Sequence, residues 1–297
     1  MQKKEKLVFI VNPISGYGKN AGIEKLIARH LDQSRYEYEL LKTSFPGHAR
    51  ELANGAIDNH VDMVVAVGGD GTMNEIAHVL VNTQVKLGII PLGSGNGLGR
   101  HVGISLNPRK AINVINEGRC IAVDTCLVND TTFVNIAGVG FDAFISKIFN
   151  QSQERGYLTY LKCIIQNINR YRPQHYTYNH QGKPIQKNYL TIAFANSRQY
   201  GNNAYIAPLA SITDGYLDVV FVRPFPAYYW PMLIFKTLTK TLHTSRYIST
   251  YRTRRFHLKS NHPVPMHVDG DFLGIHNSFN VQIQPESLQL IVGKEVI

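Results

Sequence analysis

One acidic side chain, Asp70, stands in a turn of glycines that directly follows an apolar run of the chain. The run at residues 64–67, Val-Val-Ala-Val, is typical of a strand covered on both faces in a parallel α/β sheet. Gly68, Gly69 and Gly71 allow the backbone to turn sharply and to bring its N–H groups close to an anion. Beside such donors a carboxylate is tolerable mainly if it holds Mg²⁺ or takes a proton. The turn therefore indicates chemistry on a phosphate.

Two other loops of the sequence repeat this arrangement. The apolar run at residues 87–90 leads into Pro-Leu-Gly-Ser-Gly-Asn at 91–96, and the run at 7–11 leads into Asn-Pro-Ile-Ser-Gly at 12–16. In an open α/β sheet, ligands bind in the crevice at the carboxyl ends of the strands. A single glycine turn with a solvated aspartate would be an ordinary connection, but three such loops together favour a binding site.

Further motifs extend over nearly the whole chain. Residues 195–219 contain Asp-Gly-Tyr-Leu-Asp at 214–218, residues 268–271 read Val-Asp-Gly-Asp, and residues 139–143 read Val-Gly-Phe-Asp-Ala. Together with Gly-Gly-Asp-Gly at 68–71, this set resembles the signatures of the diacylglycerol kinase and sphingosine kinase family of lipid kinases. It is more distantly similar to NAD kinases and phosphofructokinases, which share the glycine loop.

Two departures from the family pattern are Asp271, where glutamate is usual, and Gly-Asn-Asn at 201–203, which replaces a glycine run. The resemblance implies an ATP-dependent lipid kinase, with diacylglycerol as the first expected acceptor and phosphatidic acid, an intermediate of phospholipid biosynthesis, as its product. The loop at 93–96, Gly-Ser-Gly-Asn, is closer to that of sphingosine kinases than to the Gly-Thr-Ala-Asn of bacterial diacylglycerol kinases. A sphingoid long-chain base is therefore an alternative acceptor.

Three other functions remain open at this point. An NAD kinase would explain the glycine loop but not the motifs at 195–219 and 268–271. A nucleotide-gated membrane binder without activity would not need the acids. The sequence Gly-Tyr-Gly-Lys-Asn-Ala at 16–21, followed by Glu37 and Glu39, also fits the dinucleotide site of a Rossmann oxidoreductase. That last interpretation leaves the other two loops unexplained.

Phosphoryl transfer needs donors around the phosphates, a cation to offset their charge, and a base or orienter for the attacking hydroxyl. The three loops offer backbone N–H groups and hydroxyls as donors, and we expect Thr72 to cap a helix that begins at Met73. Thr43 is expected on the adenine side, and Lys19 is a weaker candidate for a phosphate contact. By resemblance, the residues expected to bind ATP are Asn12, Pro13, Ile14, Ser15, Gly16, Thr43, Gly68, Gly69, Asp70, Gly71, Thr72, Asn74, Glu75, Ser94 and Asn96.

A second group of acids follows in the 268–271 motif. Asp269 and Asp271 flank Gly270, and two acids this close can raise the pKa of one of them, which suits a general base. By local sequence alone, the same residues could form an ordinary polar hairpin. The resemblance implies that Asp271 accepts the proton with Asp269 beside it, and the chemistry of the glycine turn makes Asp70 a third catalytic candidate.

The resemblance also implies a Mg²⁺ ion bound by Asp214 and by the backbone carbonyls of Ser211 and Tyr216. Without it, Thr-Asp-Gly at this point would indicate only a turn. Asp124 and Asp142 are weaker site candidates, because either could instead make buried hydrogen bonds. The histidines lack the spacing of a zinc site.

The pattern of apolar residues predicts two domains. Short apolar runs alternate with helical patterns up to about Cys120, as in βαβ units, and short strands separated by turns dominate afterwards. We predict an α/β plus β fold, the two-domain fold of NAD kinases, which the family resemblance also implies. Its parts are a Rossmann-like parallel sheet in residues 1–124, joined by a returning strand within 286–297, and an antiparallel β-sandwich in 125–285 for the lipid. Separate strands are expected at 279–283 and 287–292.

Composition indicates the partners and the compartment. The 297 residues are 44% apolar and carry a formal charge of +10, which favours an anionic partner. Three cysteines without metal-ligand spacing favour a reducing cytoplasm, and no stretch has the apolar length of a membrane span. Apolar and basic residues at 157–171 and 226–242 could pack on the β domain or touch an anionic membrane. We expect a cytoplasmic, peripherally membrane-associated protein that binds no nucleic acid, and a homodimer is compatible with this.

Overall fold

The structure is a computed structural model that describes residues 3–16, 22–152 and 156–294. The chain forms two compact units. The first consists of residues up to 123 together with those from 286 onward, and the second consists of residues 124–285. No helix within the three described ranges is both long and apolar enough to cross a bilayer.

The first unit alternates strands and helices. Its strands form a five-stranded parallel sheet in the order β14, β4, β3, β1, β2, in which Leu290 of the last strand pairs with Leu87. Every residue of β3 is buried, because helices cover both faces of a sheet of this kind. The elements are β1 (Glu5–Val11), α1 (Ile23–His30), β2 (Tyr36–Lys42), α2 (His48–Asp58), β3 (Met63–Gly68), α3 (Asp70–Leu80), β4 (Lys86–Pro91), α4 (Gly97–His101) and α5 (Pro108–Glu117).

The second unit is built on antiparallel strands. Six of them lie in the order β12, β11, β10, β7, β13, β14, while β8 joins β13 and pairs with β9, and β5 pairs with β6. The elements are β5 (Cys120–Val128), β6 (Thr131–Phe133), β7 (Ile136–Gly140), α6 (Phe141–Gln151), α7 (Tyr157–Asn167), β8 (Gln174–His180), β9 (Lys183–Tyr189), β10 (Thr191–Ala195), β11 (Leu217–Val222), α8 (Trp230–Leu238), β12 (Ile248–Thr253), β13 (Arg255–Val268) and β14 (Asp271–Ile291).

Two hydrophobic cores lie on the two faces of the central strands of this unit. Along β10, Ile192 and Phe194 belong to the core between the strands, whereas Ala193 and Ala195 belong to the core beneath the helices. Successive side chains of a strand point to opposite faces, so a strand covered on both sides must be apolar throughout. The run at 192–195 is therefore continuously apolar even though its sheet is antiparallel.

Two local predictions differ from the structure. The helix expected to begin at Met73 begins at Asp70, so Thr72 lies in its first turn and does not cap it. The strands expected at 279–283 and 287–292 are one strand, β14, which starts in the second unit and ends in the sheet of the first. The alternative dinucleotide motif at 16–21 falls mostly outside the described residues.

Candidate active site

The three glycine-bearing loops of the first unit lie together at the carboxyl ends of β1, β3 and β4. The side-chain amide of Asn12 donates to the hydroxyl of Thr72 at 3.1 Å, which joins the first loop to the second. The Asn12 carboxamide oxygen also accepts the backbone N–H of Ile14 at 3.1 Å and so shapes its own loop. Thr72, placed in the helix rather than at its cap, thus serves as a link between loops.

The second and third loops touch through their backbones. Gly93 donates its N–H to the carbonyl of Gly68 at 3.3 Å. A Cβ added to Gly93 would lie 2.6 Å from the Cα of Gly69. This approach is closer than a side chain permits, so the position requires glycine.

Asp70 holds the third loop in place. Its carboxylate accepts the backbone N–H groups of Asn96 at 2.7 Å and Gly97 at 2.8 Å. A Cβ on Gly95 would lie 2.6 Å from the same carboxylate. Burial raises the pKa of Asp70, and the two N–H groups partly oppose this shift. The acid that the sequence singled out therefore sets the shape of the loop that follows β4.

The end of β2 contributes to the same edge of the sheet. Thr43 follows this strand and donates its N–H to the carbonyl of Val11 at 2.9 Å. Glu75 accepts the N–H groups of Gly47 at 3.0 Å and Ala49 at 3.1 Å, and so satisfies donors at the start of α2. The expected contact of Glu75 with ATP stays a prediction.

The residues expected to bind ATP divide by exposure. Gly71 and Ser94 are exposed and Ser15 is half-buried, so these three can reach a ligand, whereas Asn74 is buried within α3. Lys19 lies outside the described residues. The structure thus brings together the strand ends at which these residues lie, and the nucleotide itself stays a prediction.

In the second unit, the 268–271 motif forms a tight hairpin. Val268 pairs with Asp271, and the two residues between them, Asp269 and Gly270, have φ angles of 50° and 93°. Two positive φ angles are the pattern of a type I′ turn, which joins twisted strands directly. Asp271 is exposed at the first position of β14.

The carboxylate of Asp269 is used inside the protein. It accepts three backbone N–H groups, from Val134 at 3.0 Å and from Asn135 and Ile136 at 2.9 Å each. Burial nevertheless raises the pKa of Asp269 to about 6. Asp269 thus anchors the hairpin to the segment before β7, which favours its neighbour Asp271 as the acid that meets a substrate.

A buried polar scaffold, which sequence reasoning missed, supports this anchor. Asn196 donates to the carbonyls of Asp124 and Val134 at 2.8 Å each, and Asn135 donates to the carbonyl of Gln199 at 3.2 Å. The available signal was Asn135 inside one apolar run and Asn196 at the end of another. Each of the two amide nitrogens finds carbonyl acceptors, so the two asparagines mark a buried polar network.

Asp142 and His267 form a second buried contact behind the hairpin. The Asp142 carboxylate accepts the hydroxyl of Tyr200 at 2.9 Å and lies 3.3 Å from His267 Nε2. Gly270 donates its N–H to Nδ1 of the same imidazole at 3.4 Å, which places the ring proton on Nε2. Burial and the nearby Asp142 carboxylate raise the pKa of Tyr200. Asp142 therefore acts through His267 on the turn beside Asp271.

The turn expected to bind Mg²⁺ is organised in another way. Asp214 forms an ion pair with Arg252 through one carboxylate oxygen and accepts the N–H of Tyr216 at 2.9 Å with the other. Asp124 holds the same turn by accepting the N–H of Gly215 at 2.7 Å. A guanidinium on the single carboxylate repels a cation, so Asp214, Ser211 and Tyr216 do not fit a Mg²⁺ site as arranged. The expected Mg²⁺ site at this turn stays a prediction, and it requires the Arg252 side chain to leave the Asp214 carboxylate.

No other cluster of metal-binding side chains gives an alternative Mg²⁺ site among the described residues. Within residues 3–16, 22–152 and 156–294, no three His, Cys, Asp or Glu side chains are grouped to hold a metal. The roles found for the acids are loop positioning at Asp70, anchoring at Asp269 and pairing at Asp214.

Comparison with protein families gives two adjoining matches. Residues 6–128 match the diacylglycerol kinase catalytic domain, and residues 135–292 match the YegS C-terminal NAD kinase beta sandwich-like domain. The second description agrees with the predicted α/β plus β fold, which is confirmed.

Individual relatives span nearly the whole chain. A "Diacylglycerol kinase" of Mycobacterium tuberculosis is 27% identical over 276 residues, which cover 90% of this chain and 89% of that protein. A "Probable lipid kinase YegS-like" of Enterobacter is 30% identical over 284 residues, with 91% and 92% covered. The crystal structure of a diacylglycerol kinase from Bacillus anthracis superimposes with a TM-score of 0.76 at 18% identity and covers 100% of both chains, which supports the fold.

Proposed function

The chain belongs to the diacylglycerol kinase catalytic domain family of lipid kinases, and from this premise we propose that it transfers the γ-phosphate of ATP to the hydroxyl of diacylglycerol. The class of reaction is a phosphotransfer to an alcohol, with ATP as co-substrate. The finer proposal is the acceptor, whose product would be phosphatidic acid.

The meeting of three loops in the first unit is the observation that carries the ATP proposal. The Asn12–Thr72 contact, the Gly69–Gly93 approach and the Asp70 hydrogen bonds hold exposed backbone and hydroxyl groups at one edge of a parallel sheet. Nucleotides bind at this edge in folds of this kind. ATP enters as its Mg²⁺ complex in this proposal, with the ion belonging to the substrate.

Asp271 is proposed to accept the proton of the lipid hydroxyl. It is exposed, it begins β14, and the adjoining Asp269 is anchored by three N–H groups. A general base must hold one position relative to the proton it takes. The type I′ turn and the His267 contact to Gly270 fix that position, so Asp142 and His267 are positioning residues here.

The second unit is also proposed to dock on an anionic membrane through α8. Trp230 and Leu233 face the core beneath the helices, whereas Tyr228, Met232 and Phe235 are exposed. One face of this segment thus packs on the core, and the other face is available for the proposed membrane contact. Exposed apolar groups beside Lys236 and Lys240 suit insertion into the headgroup region of a bilayer.

The docking proposal is tested by vesicle sedimentation. Binding should rise with anionic lipid and fall with salt, because the charges are exposed. Phe235→Ser should weaken binding by about three- to tenfold, the effect of removing one inserted aromatic side chain. Leu106→Ser, which alters an exposed apolar residue of the first unit, is the control. Equal effects of both changes would contradict docking through α8.

The acceptor is tested with labelled ATP and a panel of diacylglycerol, sphingosine, phosphatidylglycerol and NAD. Diacylglycerol should be phosphorylated with the highest kcat/KM. Asp271→Asn should abolish this signal, while Asp130→Asn, a change at an exposed residue of the β5–β6 turn, should preserve it. Preference for sphingosine would establish the alternative suggested by the loop at 93–96, and preference for NAD would refute a lipid acceptor.

A further inference from the structure

The positive charge of the chain is concentrated in the second unit. Residues 124–285 contain 16 Lys and Arg against 8 Asp and Glu, whereas the remaining residues contain 15 against 13. Residues 219–268 contain eight of these cations and no acid. A surface with such a field attracts anions to one part of the protein.

Within this unit, three cations line one open cavity of about 580 Å³. Lys187 lies near the end of β9, Arg223 directly follows β11, and Arg246 lies just before β12. The N–H of Arg223 donates to the carbonyl of Tyr247 at 2.8 Å, which holds two of these strand ends together. The lining, within the described part of the chain, includes no carboxylate.

Tyrosines shape the cavity and orient one of its cations. The guanidinium of Arg246 donates to the hydroxyl of Tyr247 at 2.8 Å and lies over the same ring, with 4.8 Å between Cζ and the centroid. One of the five guanidinium N–H groups makes this hydrogen bond, and the planar fork suits bidentate contact with phosphate oxygens. Tyr189 also lines the cavity and is buried.

We propose that this cavity binds the phosphate of an anionic phospholipid, and phosphomonoesters most tightly. Three cations match the nearly divalent charge of a phosphomonoester better than the single charge of a phosphodiester. The ring of Tyr247 packs on Tyr229, with 4.8 Å between centroids, and Tyr229 adjoins the exposed apolar face of α8. A free phosphate would make no contact with this apolar face, whereas a lipid offers both a phosphate for the cations and apolar chains for α8.

This inference rests on lipid kinase activity for the identity of the ligand. Phosphorylation of any lipid hydroxyl yields a phosphomonoester lipid, so the cavity would hold the enzyme on membranes where its own product accumulates. Binding of product at this second position is separate from turnover, and it can be measured without ATP.

The test compares K187Q/R223Q/R246Q with wild type in sedimentation with phosphatidylcholine vesicles containing phosphatidic acid. A second vesicle set contains phosphatidylglycerol, matched for total charge. Wild type should prefer phosphatidic acid, and the triple variant should lose this binding by at least about tenfold. The control K25Q/R29Q/R109Q changes three exposed cations of the first unit by the same total charge and should alter binding by less than about twofold. Circular dichroism verifies that both variants are folded.

Three outcomes would overturn the proposal. Equal losses in the two triple variants would mean that only the overall field attracts the vesicles. Inorganic phosphate that binds wild type without lipid as tightly as phosphatidic acid vesicles do would identify a soluble anion as the ligand. Single-stranded RNA that binds as tightly as those vesicles, and is lost with K187Q/R223Q/R246Q, would identify a nucleic-acid site. ATP is absent from this experiment, so the results do not depend on which lipid the enzyme phosphorylates. They test the cavity separately from the diacylglycerol proposal.

Discussion

The glycine turn at Asp70 and the hairpin turn at Asp269 both hold an aspartate by backbone N–H groups, but they leave different groups exposed. Asp70 accepts two N–H groups from the loop after β4, and the glycines around it have no side chains to cover the backbone. Asp269 accepts three N–H groups, and the exposed acid is its neighbour Asp271. In the first turn the acid shapes a neighbouring loop, and in the second it positions another acid.

The largest expected effect is on turnover at the hairpin. Asp271→Asn should lower kcat by roughly a hundred- to ten thousandfold, because the amide cannot take a proton from the hydroxyl. ATP affinity should change little. Steady-state kinetics with diacylglycerol and ATP binding by calorimetry measure the two quantities. A variant with full kcat would place the base elsewhere, with Asp70 as the next candidate.

A smaller loss is expected at the glycine turn. Asp70→Asn should lower kcat/KM by on the order of a hundredfold, because the negative charge is lost and an NH₂ donor replaces one of the two oxygens that each accept an N–H group. Asp62→Asn is a matched control. Asp62 lies just before β3, at the opposite end of the strand from Asp70, and its carboxylate also accepts a backbone N–H, that of Lys6 at 2.7 Å. Equal activity in the two variants would remove Asp70 from the mechanism.

Asp269 should behave as an anchor. Asp269→Asn should keep kcat within about tenfold, because asparagine tolerates a positive φ and can accept some of the same N–H groups. Asp269→Ala leaves three buried donors without an acceptor and should lower the free energy of unfolding by about 3 kcal/mol or more. Loss of kcat in Asp269→Asn as large as in Asp271→Asn would assign the base role to both acids.

The smallest effect concerns Asp218, a buried acid of β11 whose pKa burial raises to about 6. A raised pKa means that protonation favours the folded state, so this stabilisation is complete below about pH 4 and is lost as the pH rises through 6. Asp218→Asn should therefore gain stability over wild type with rising pH, reaching about 1–2 kcal/mol above pH 7 once partial solvent contact is allowed for. Chemical denaturation at several pH values measures it, and a constant difference would contradict the raised pKa.

The sequence predicted the fold and the lipid kinase family correctly because their signals are local. Apolar runs, glycine turns and short motifs can each be read within a few residues, and both predictions are confirmed. The roles of single acids depend on distant partners. Asp269 binds N–H groups more than 130 positions earlier, and Arg252 reaches Asp214 across 38 positions. No local pattern contains that information, and the catalytic assignments stay predictions.

Strand β14 has a consequence for the order in which the chain can fold. Residue 286 onward completes the first unit, and Leu290 pairs with Leu87 of β4, yet a ribosome makes this segment only after all of residues 124–285. Until then, β4 remains an apolar strand with one open edge, and open edges of this kind promote association between chains. A nascent chain therefore passes through an interval in which almost all of its first unit has been synthesised but the last strand of that unit has not.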